Sequence, residues 1–273
     1  MKKIVAIDLD GTLLHSDCTI SSYSKEVIAE AGKNGIMVVP TSGRSFRSIK
    51  NQVKDIESVK YCICANGTLV GNIQTEELIH NYKIPQHFVY DIYKEVKKRH
   101  GFIELYCDND AYVEKEDIPV FYNTKMGKDF CDSLLSTDVK ALSYDLLLRR
   151  GTMRINKIHV AFLNPQELRE FAAQTAKNEN LVVTFPSEYN MEIFPKGCNK
   201  DVGIRILAEK YNIAHEDTVA IGDSDNDVAM IEYAHIGIAV ANAMEVLKEK
   251  ADYITKSNDE DGPAIVLKKI LEK

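Results

Sequence analysis

Ile4-Val5-Ala6-Ile7 is an unbroken apolar run that stops at Asp8, the pattern of a central parallel strand buried on both faces. From Ser22 to about Lys33 the apolar positions Val27, Ile28 and Ala31 form a helical stripe, with serines before it as caps and Gly35 after it as a stop. Ile36-Met37-Val38-Val39 predicts a second buried strand, Phe46 to Ile56 a second helix, and Tyr61-Cys62-Ile63-Cys64-Ala65 a third strand. The same alternation returns late in the chain, with a helix over 202–211, a strand over 218–221, a helix near 228–233 and a short strand over 236–240. Strands that alternate with helices in this way predict an α/β fold, a parallel sheet with helices on both faces.

Between these two halves the pattern changes. Helices are predicted over 88–99 and 167–178, and strands over 102–106, 157–162 and 181–185. We therefore expect a core formed by residues 1–83 and 189–273, with an inserted α+β domain over 84–188 and Pro85 and Pro186 near its hinges. No internal repeat or low-complexity tract interrupts either part.

Composition adds limits. The chain has 273 residues, of which 45% are hydrophobic and 27% charged, so a packed core needs no outside help. The net charge of −7 argues against nonspecific nucleic-acid binding, and an anionic ligand would need a local positive site. The six cysteines, Cys18, Cys62, Cys64, Cys107, Cys131 and Cys198, are scattered and read as small core hydrophobes and surface thiols rather than a zinc or disulfide framework. No apolar run approaches the roughly 18 residues of a membrane span, and Met1-Lys2-Lys3 leads directly into a strand without the features of a signal peptide. A reducing cytoplasm, no membrane and no nucleic-acid partner are expected; monomer and dimer stay open.

In open α/β sheets ligands bind beyond the carboxyl ends of the strands, and four polar stretches stand at such ends. Asp8-Leu9-Asp10-Gly11-Thr12 carries two carboxylates and a glycine that permits a sharp turn. Thr41-Ser42-Gly43-Arg44 offers a hydroxyl and backbone amides before a helix, a natural cradle for phosphate. Lys200 opens the helix that runs to Tyr211. Gly222-Asp223-Ser224-Asp225-Asn226-Asp227 gathers the oxygen ligands that a hard cation such as Mg²⁺ prefers, without the spacing of a calcium loop.

In this order the four stretches resemble the haloacid dehalogenase superfamily of phosphohydrolases, and more narrowly its Cof-type sugar-phosphatase branch with a large α+β cap. Asn66-Gly67, Gly237-Ile238-Ala239-Val240-Ala241-Asn242-Ala243 and Asn258-Asp259-Glu260-Asp261-Gly262 extend the likeness over nearly the whole chain. The resemblance implies a Rossmann-like three-layer core and a Mg²⁺-dependent phosphatase acting on a small phosphorylated metabolite. By the same resemblance Asp8 is the nucleophile, Asp10 the general acid/base, and Lys200 the cation that pairs with nucleophile and phosphate. Ser42, Gly43 and Asn226 would contact phosphate; Asp8, the Asp10 backbone and Asp223 would hold the metal; Asp227 would orient its neighbours. Ser42 stands where the family more often has Thr, and Arg44 is left as an ion-pair residue. His159, inside an apolar strand, reads as a structural histidine. A sugar phosphomutase on the same core, or a noncatalytic sugar-phosphate sensor, are the alternatives.

Overall fold

The computed structural model describes residues 3–124, 128, 132, 140–141 and 143–272. In chain order the strands are β1 (Lys3–Asp8), β2 (Ile36–Thr41), β3 (Tyr61–Cys64), β4 (Leu69–Asn72), β5 (Leu78–Asn81), β6 (Phe102–Cys107), β7 (Asp110–Val113), β8 (Lys140–Ala141), β9 (Lys157–Ala161), β10 (Leu181–Ser187), β11 (Asn190–Pro195), β12 (Thr218–Gly222), β13 (Ile236–Ala239) and β14 (Tyr253–Ile254). The helices are α1 (Ser22–Lys33), α2 (Phe46–Val53), α3 (Gln86–Lys98), α4 (Ile118–Tyr122), α5 (Asp145–Arg149), α6 (Pro165–Thr175), α7 (Lys200–Tyr211), α8 (Val228–Tyr233), α9 (Glu245–Lys248) and α10 (Gly262–Leu271).

The chain divides into two compact units, one of Met1–Arg44, Ile49–His80 and Asn199–Lys273, the other of Ser45–Ser48 and Asn81–Cys198. The first is built on a sheet of order β14-β13-β12-β1-β2-β3-β4-β5 among the described residues. β1 lies at its centre and pairs in parallel with both β2 and β12, matching Ile7 with Pro40 and with Ile221. Ile4, Val5, Ala6 and Ile7 are completely buried, as a strand covered on both faces requires. The parallel pairing puts the carboxyl ends of β12, β1 and β2, at Gly222, Asp8 and Thr41, on one edge of the sheet. The edge beyond β3 is antiparallel, because β4 turns back on β3 and pairs Cys64 with Leu69. Cys62 and Cys64 lie buried in β3 as expected, whereas Cys131 falls outside the described residues.

Helix α1 begins where Ser21 accepts a hydrogen bond from the Ser24 backbone N–H, and its buried stripe is Val27, Ile28 and Ala31, the positions expected.

The second unit carries a sheet of order β10-β11-β9-β6-β7-β8 among the described residues. One face is apolar: Ile103, Leu105, Ile158, Val160, Met191 and Ile193 pack with Val89, Ile92 and Val96 of α3 and Leu168 and Phe171 of α6. The other face places Glu104, His159 and Glu192 side by side across three strands. β11 pairs with β9 and β10, so residues 190–195 belong to this sheet and not to the core, beyond the boundary at 188 expected from sequence. Pro186 is not at a hinge; it sits in the irregular end of β10, where the register shifts between Thr184 and Ser187.

Candidate active site

Asp8 ends β1 with its side chain buried, 4% exposed, in contact with Lys200, the first residue of α7, which is 1% exposed. The Lys200 ammonium donates to Asp8 Oδ1 at 2.6 Å, to Asp227 Oδ1 at 2.5 Å and to Asn226 Oδ1 at 3.0 Å. A buried lysine with three oxygen partners is fully satisfied, which offsets the cost of removing its charge from water. Burial works against that charge, but the Asp227 and Asp8 carboxylates outweigh it and hold the ammonium above the ordinary lysine range.

Asp227 organises the loop after β12. Its Oδ2 accepts from the backbone N–H groups of Asp223 at 3.0 Å and Ser224 at 3.1 Å, and the Ser224 hydroxyl donates to Asn226 Oδ1. The approach is close enough that a Cβ on Gly222 would come within 2.6 Å of the Asp227 carboxyl carbon. Asp223 accepts at Oδ1 from the Thr12 hydroxyl at 2.9 Å. Gly11, with φ +77°, turns the chain between these groups, and a Cβ there would meet Asp223 Oδ2 at 2.7 Å.

Carboxylate oxygens of Asp8, Asp223 and Asp227 all lie within 4.8 Å of one another. Burial pushes the Asp8 carboxyl well above the usual carboxylate range, the Asp227 charge adds to the effect, and Lys200 only partly relieves it. Burial and the Asp227 charge likewise push Asp223 up to about 6. Three carboxylates thus face one ammonium, and the donor set is oxygen alone. An oxygen-only set with surplus negative charge fits a hard divalent cation such as Mg²⁺.

The carboxylate of Asp10 stands apart from that cluster. It is half exposed, and Arg44 grips both its oxygens, from Nε to Oδ2 at 2.8 Å and from Nη2 to Oδ1 at 2.6 Å. Ser42, 2% exposed, lies in the same turn, where its hydroxyl accepts from the Arg44 N–H at 3.1 Å and reaches Asp10 Oδ2 at 3.5 Å. Gly43 stands between Ser42 and Arg44. The turn is pinned to the end of β3 by Ala65 N–H to Arg44 O at 2.9 Å and Asn66 N–H to Ser42 O at 3.3 Å. Lys200 thus joins Asp8, Asn226 and Asp227, and Asp227 joins Asp223, in one set of bonds, while Asp10, Ser42 and Arg44 form a second set at the same sheet edge. Thr12 was not singled out by sequence, although a hydroxyl two residues after Asp10 was the available signal. The Arg44 fork onto Asp10 gives that arginine a definite partner.

A family model for haloacid dehalogenase-like hydrolases matches residues 5–267. The chain belongs to this family. Among curated proteins, this hydrolase is 29% identical to the 5-amino-6-(5-phospho-D-ribitylamino)uracil phosphatase YcsE of Bacillus subtilis, over 96% of this chain and 93% of that protein. It is 27% identical to YwtE of the same organism, which carries the same enzyme name, over 98% of each chain. Among solved structures, a haloacid dehalogenase-like hydrolase from Bacteroides thetaiotaomicron superposes with a TM-score of 0.86 at 26% identity, covering 99% of this chain and 100% of that one. The α/β fold expected for this hydrolase from its ordered motifs is thus the fold found.

Proposed function

We propose that this haloacid dehalogenase-like hydrolase is a Mg²⁺-dependent phosphatase that cleaves phosphate monoesters of small metabolites through an aspartyl phosphate on Asp8. The observation that carries the reading is the buried Asp8–Lys200 pair inside a carboxylate cluster with surplus negative charge. The phosphatase names of its relatives support the same reaction class.

Asp8, Asp223 and the Asp10 backbone would hold the metal, which when bound offsets the repulsion between a carboxylate nucleophile and an anionic ester. An oxygen of the Asp8 carboxylate attacks phosphorus, a new P–O bond forms, and the bond to the ester oxygen breaks. Asp10 gives a proton to the departing alkoxide and then takes one from the water that attacks the aspartyl phosphate, releasing inorganic phosphate and restoring Asp8. Both Asp10 oxygens are engaged by Arg44, so this proton transfer requires the guanidinium to release one of them. The Ser42 hydroxyl, the Gly43 N–H, Asn226 and Lys200, which exchanges one of its three oxygen partners for substrate, bind the phosphoryl oxygens as charge shifts onto them. The unit built on β6–β11 supplies none of these groups, and we assign to it the choice of the alcohol released.

The test is a phosphate-release panel with Mg²⁺ over hexose and pentose phosphates, pyridoxal phosphate and flavin mononucleotide, with 5-amino-6-(5-phospho-D-ribitylamino)uracil first because of the relatives named above. Asp8→Asn serves as the blank. Turnover that survives Asp8→Asn sinks the covalent route, and isomerised sugar phosphate without phosphate release would make the protein a mutase. Asp10→Ala is expected to lose most turnover and still bind Mg²⁺ by calorimetry.

A further inference from the structure

The carbonyl groups of the turn after Asp8 are held from a distant part of the chain. Gly11 O accepts from the side-chain amide of Asn242 at 2.8 Å. The same amide accepts, through Oδ1, from the backbone N–H of Asn258 at 3.0 Å. A backbone N–H can only donate, so the orientation of the Asn242 amide is fixed and its NH₂ must face Gly11. Asn258 is itself buried, 7% exposed, and its side chain donates to Leu14 O at 3.0 Å. The two asparagines therefore bracket residues 11–14 from both ends.

Residues 240–244 also grip the opposing loop. Val240 N–H donates to Gly222 O at 3.1 Å and Met244 N–H to Asp223 O at 2.8 Å. Across the gap the Thr12 hydroxyl joins Asp223. The segment thus holds both carboxylate-bearing loops to one frame. Gly11 has a left-handed backbone and no side chain to pack, so little else in its own residue resists a rotation of its peptide planes.

We propose that Asn242, anchored by Asn258, is a positioning residue that fixes the Asp10-Gly11-Thr12 turn and with it the spacing between the Asp8 and Asp223 sides of the site. What the turn does chemically rests on the function proposed above; the clamp itself does not. Asn242 is exposed, and one exposed hydrogen bond contributes only about 1 kcal/mol or less to stability, so its removal leaves the fold intact.

Two variants separate geometry from charge. Asn242→Ala removes both halves of the link. Asn242→Asp keeps the acceptor for Asn258 N–H, cannot donate to Gly11 O, and adds a negative charge that by itself would favour a cation. Partners one step behind a metal site typically cost roughly 10- to 100-fold in metal affinity or activity when lost. We expect both variants to bind Mg²⁺ at least about 10-fold more weakly by calorimetry and to lower kcat by a similar factor, with KM within about twofold of the unmutated protein. We also expect faster amide hydrogen exchange over residues 9–14 in both, with an unchanged melting temperature. Wild-type-like Mg²⁺ affinity, kcat and exchange in both variants would overturn the clamp. If the unmutated protein neither binds Mg²⁺ nor releases phosphate, the proposed function falls, and exchange over residues 9–14 still decides the clamp on its own.

Discussion

Each of the two units buries a polar cluster, and the clusters differ in charge balance. In the unit built on β6–β11, His159 Nδ1 meets Glu104 Oε2 at 3.1 Å, His159 Nε2 meets the Asn190 amide at 3.1 Å, and Lys157 pairs with Glu192 and lies 4.1 Å over the Tyr106 ring. Lys157 and Glu192 pair there as opposite charges, and Glu104, His159 and Asn190 are joined through the imidazole, so each group has a partner. At the end of β1, by contrast, Asp8, Asp223 and Asp227 share one lysine. Buried charge that is matched stabilises or specifies a fold, whereas buried charge left in surplus costs stability and has to be justified by chemistry. His159 was read from sequence as structural, and its place between Glu104, Asn190 and the rings of Phe102 and Phe121 fits that reading.

The sharpest way to break this contrast is to remove surplus charge from the core cluster. Asp8→Asn should lower phosphate release by roughly 10³-fold or more, yet leave the urea midpoint of chelator-treated protein equal to or above that of the unmutated protein, because a repelled carboxylate has gone. A lowered midpoint would mean that the acids are balanced after all. Next in size, Lys200→Met leaves three acids without their cation, and should cost about 3–5 kcal/mol in the same metal-free urea titration.

The matched cluster should respond differently. Glu104→Gln leaves His159 without a charged acceptor and is expected to cost about 1–3 kcal/mol, while Mg²⁺ affinity by calorimetry stays unchanged. A change in Mg²⁺ affinity would show that the two clusters are not independent. The smallest effect is on pH. Because Asp223 is raised from 3.8 to about 6, the folded metal-free protein holds a proton that the unfolded chain has released, and stability declines as pH rises through that interval. Mg²⁺ must displace that proton, so the rise in melting temperature on adding Mg²⁺ should be a few degrees greater at pH 7.5 than at pH 5. An equal rise at both pH values would place the cation elsewhere.

The sheet edge of the candidate site was legible because parallel strands announce their carboxyl ends: an apolar run that halts at Asp8, Thr41 or Gly222 marks the edge where polar groups gather. The pairings among those groups were not. Arg44 could be named as an ion-pair residue, but its fork onto Asp10 spans 34 positions and leaves no local pattern. β4 and β5 were missed because their short runs, Leu-Val-Gly-Asn and Leu-Ile-His-Asn, lack the apolar length of a central strand. β11 had a readable signal, with Met191 and Ile193 alternating against Asn190 and Glu192, yet its apolar beat is shared by core and insert alike, so the boundary was drawn too early. Which sheet a strand joins depends on partners such as Ile158 and Val160, far off in the chain.

The bond between Lys200 and Asp8 joins residues 192 positions apart, with the whole second unit threaded between them. Closing so long a loop is an entropic cost met before any contact at the site can repay it, and central pairing of β1 with β12 is non-local for the same reason. During synthesis, β1 with Asp8 emerges well before β12, and the intervening residues must be made before β12 can pair with it. The Asp8–Lys200 contact is therefore expected among the last to form in a refolding experiment, together with the pairing of β1 and β12.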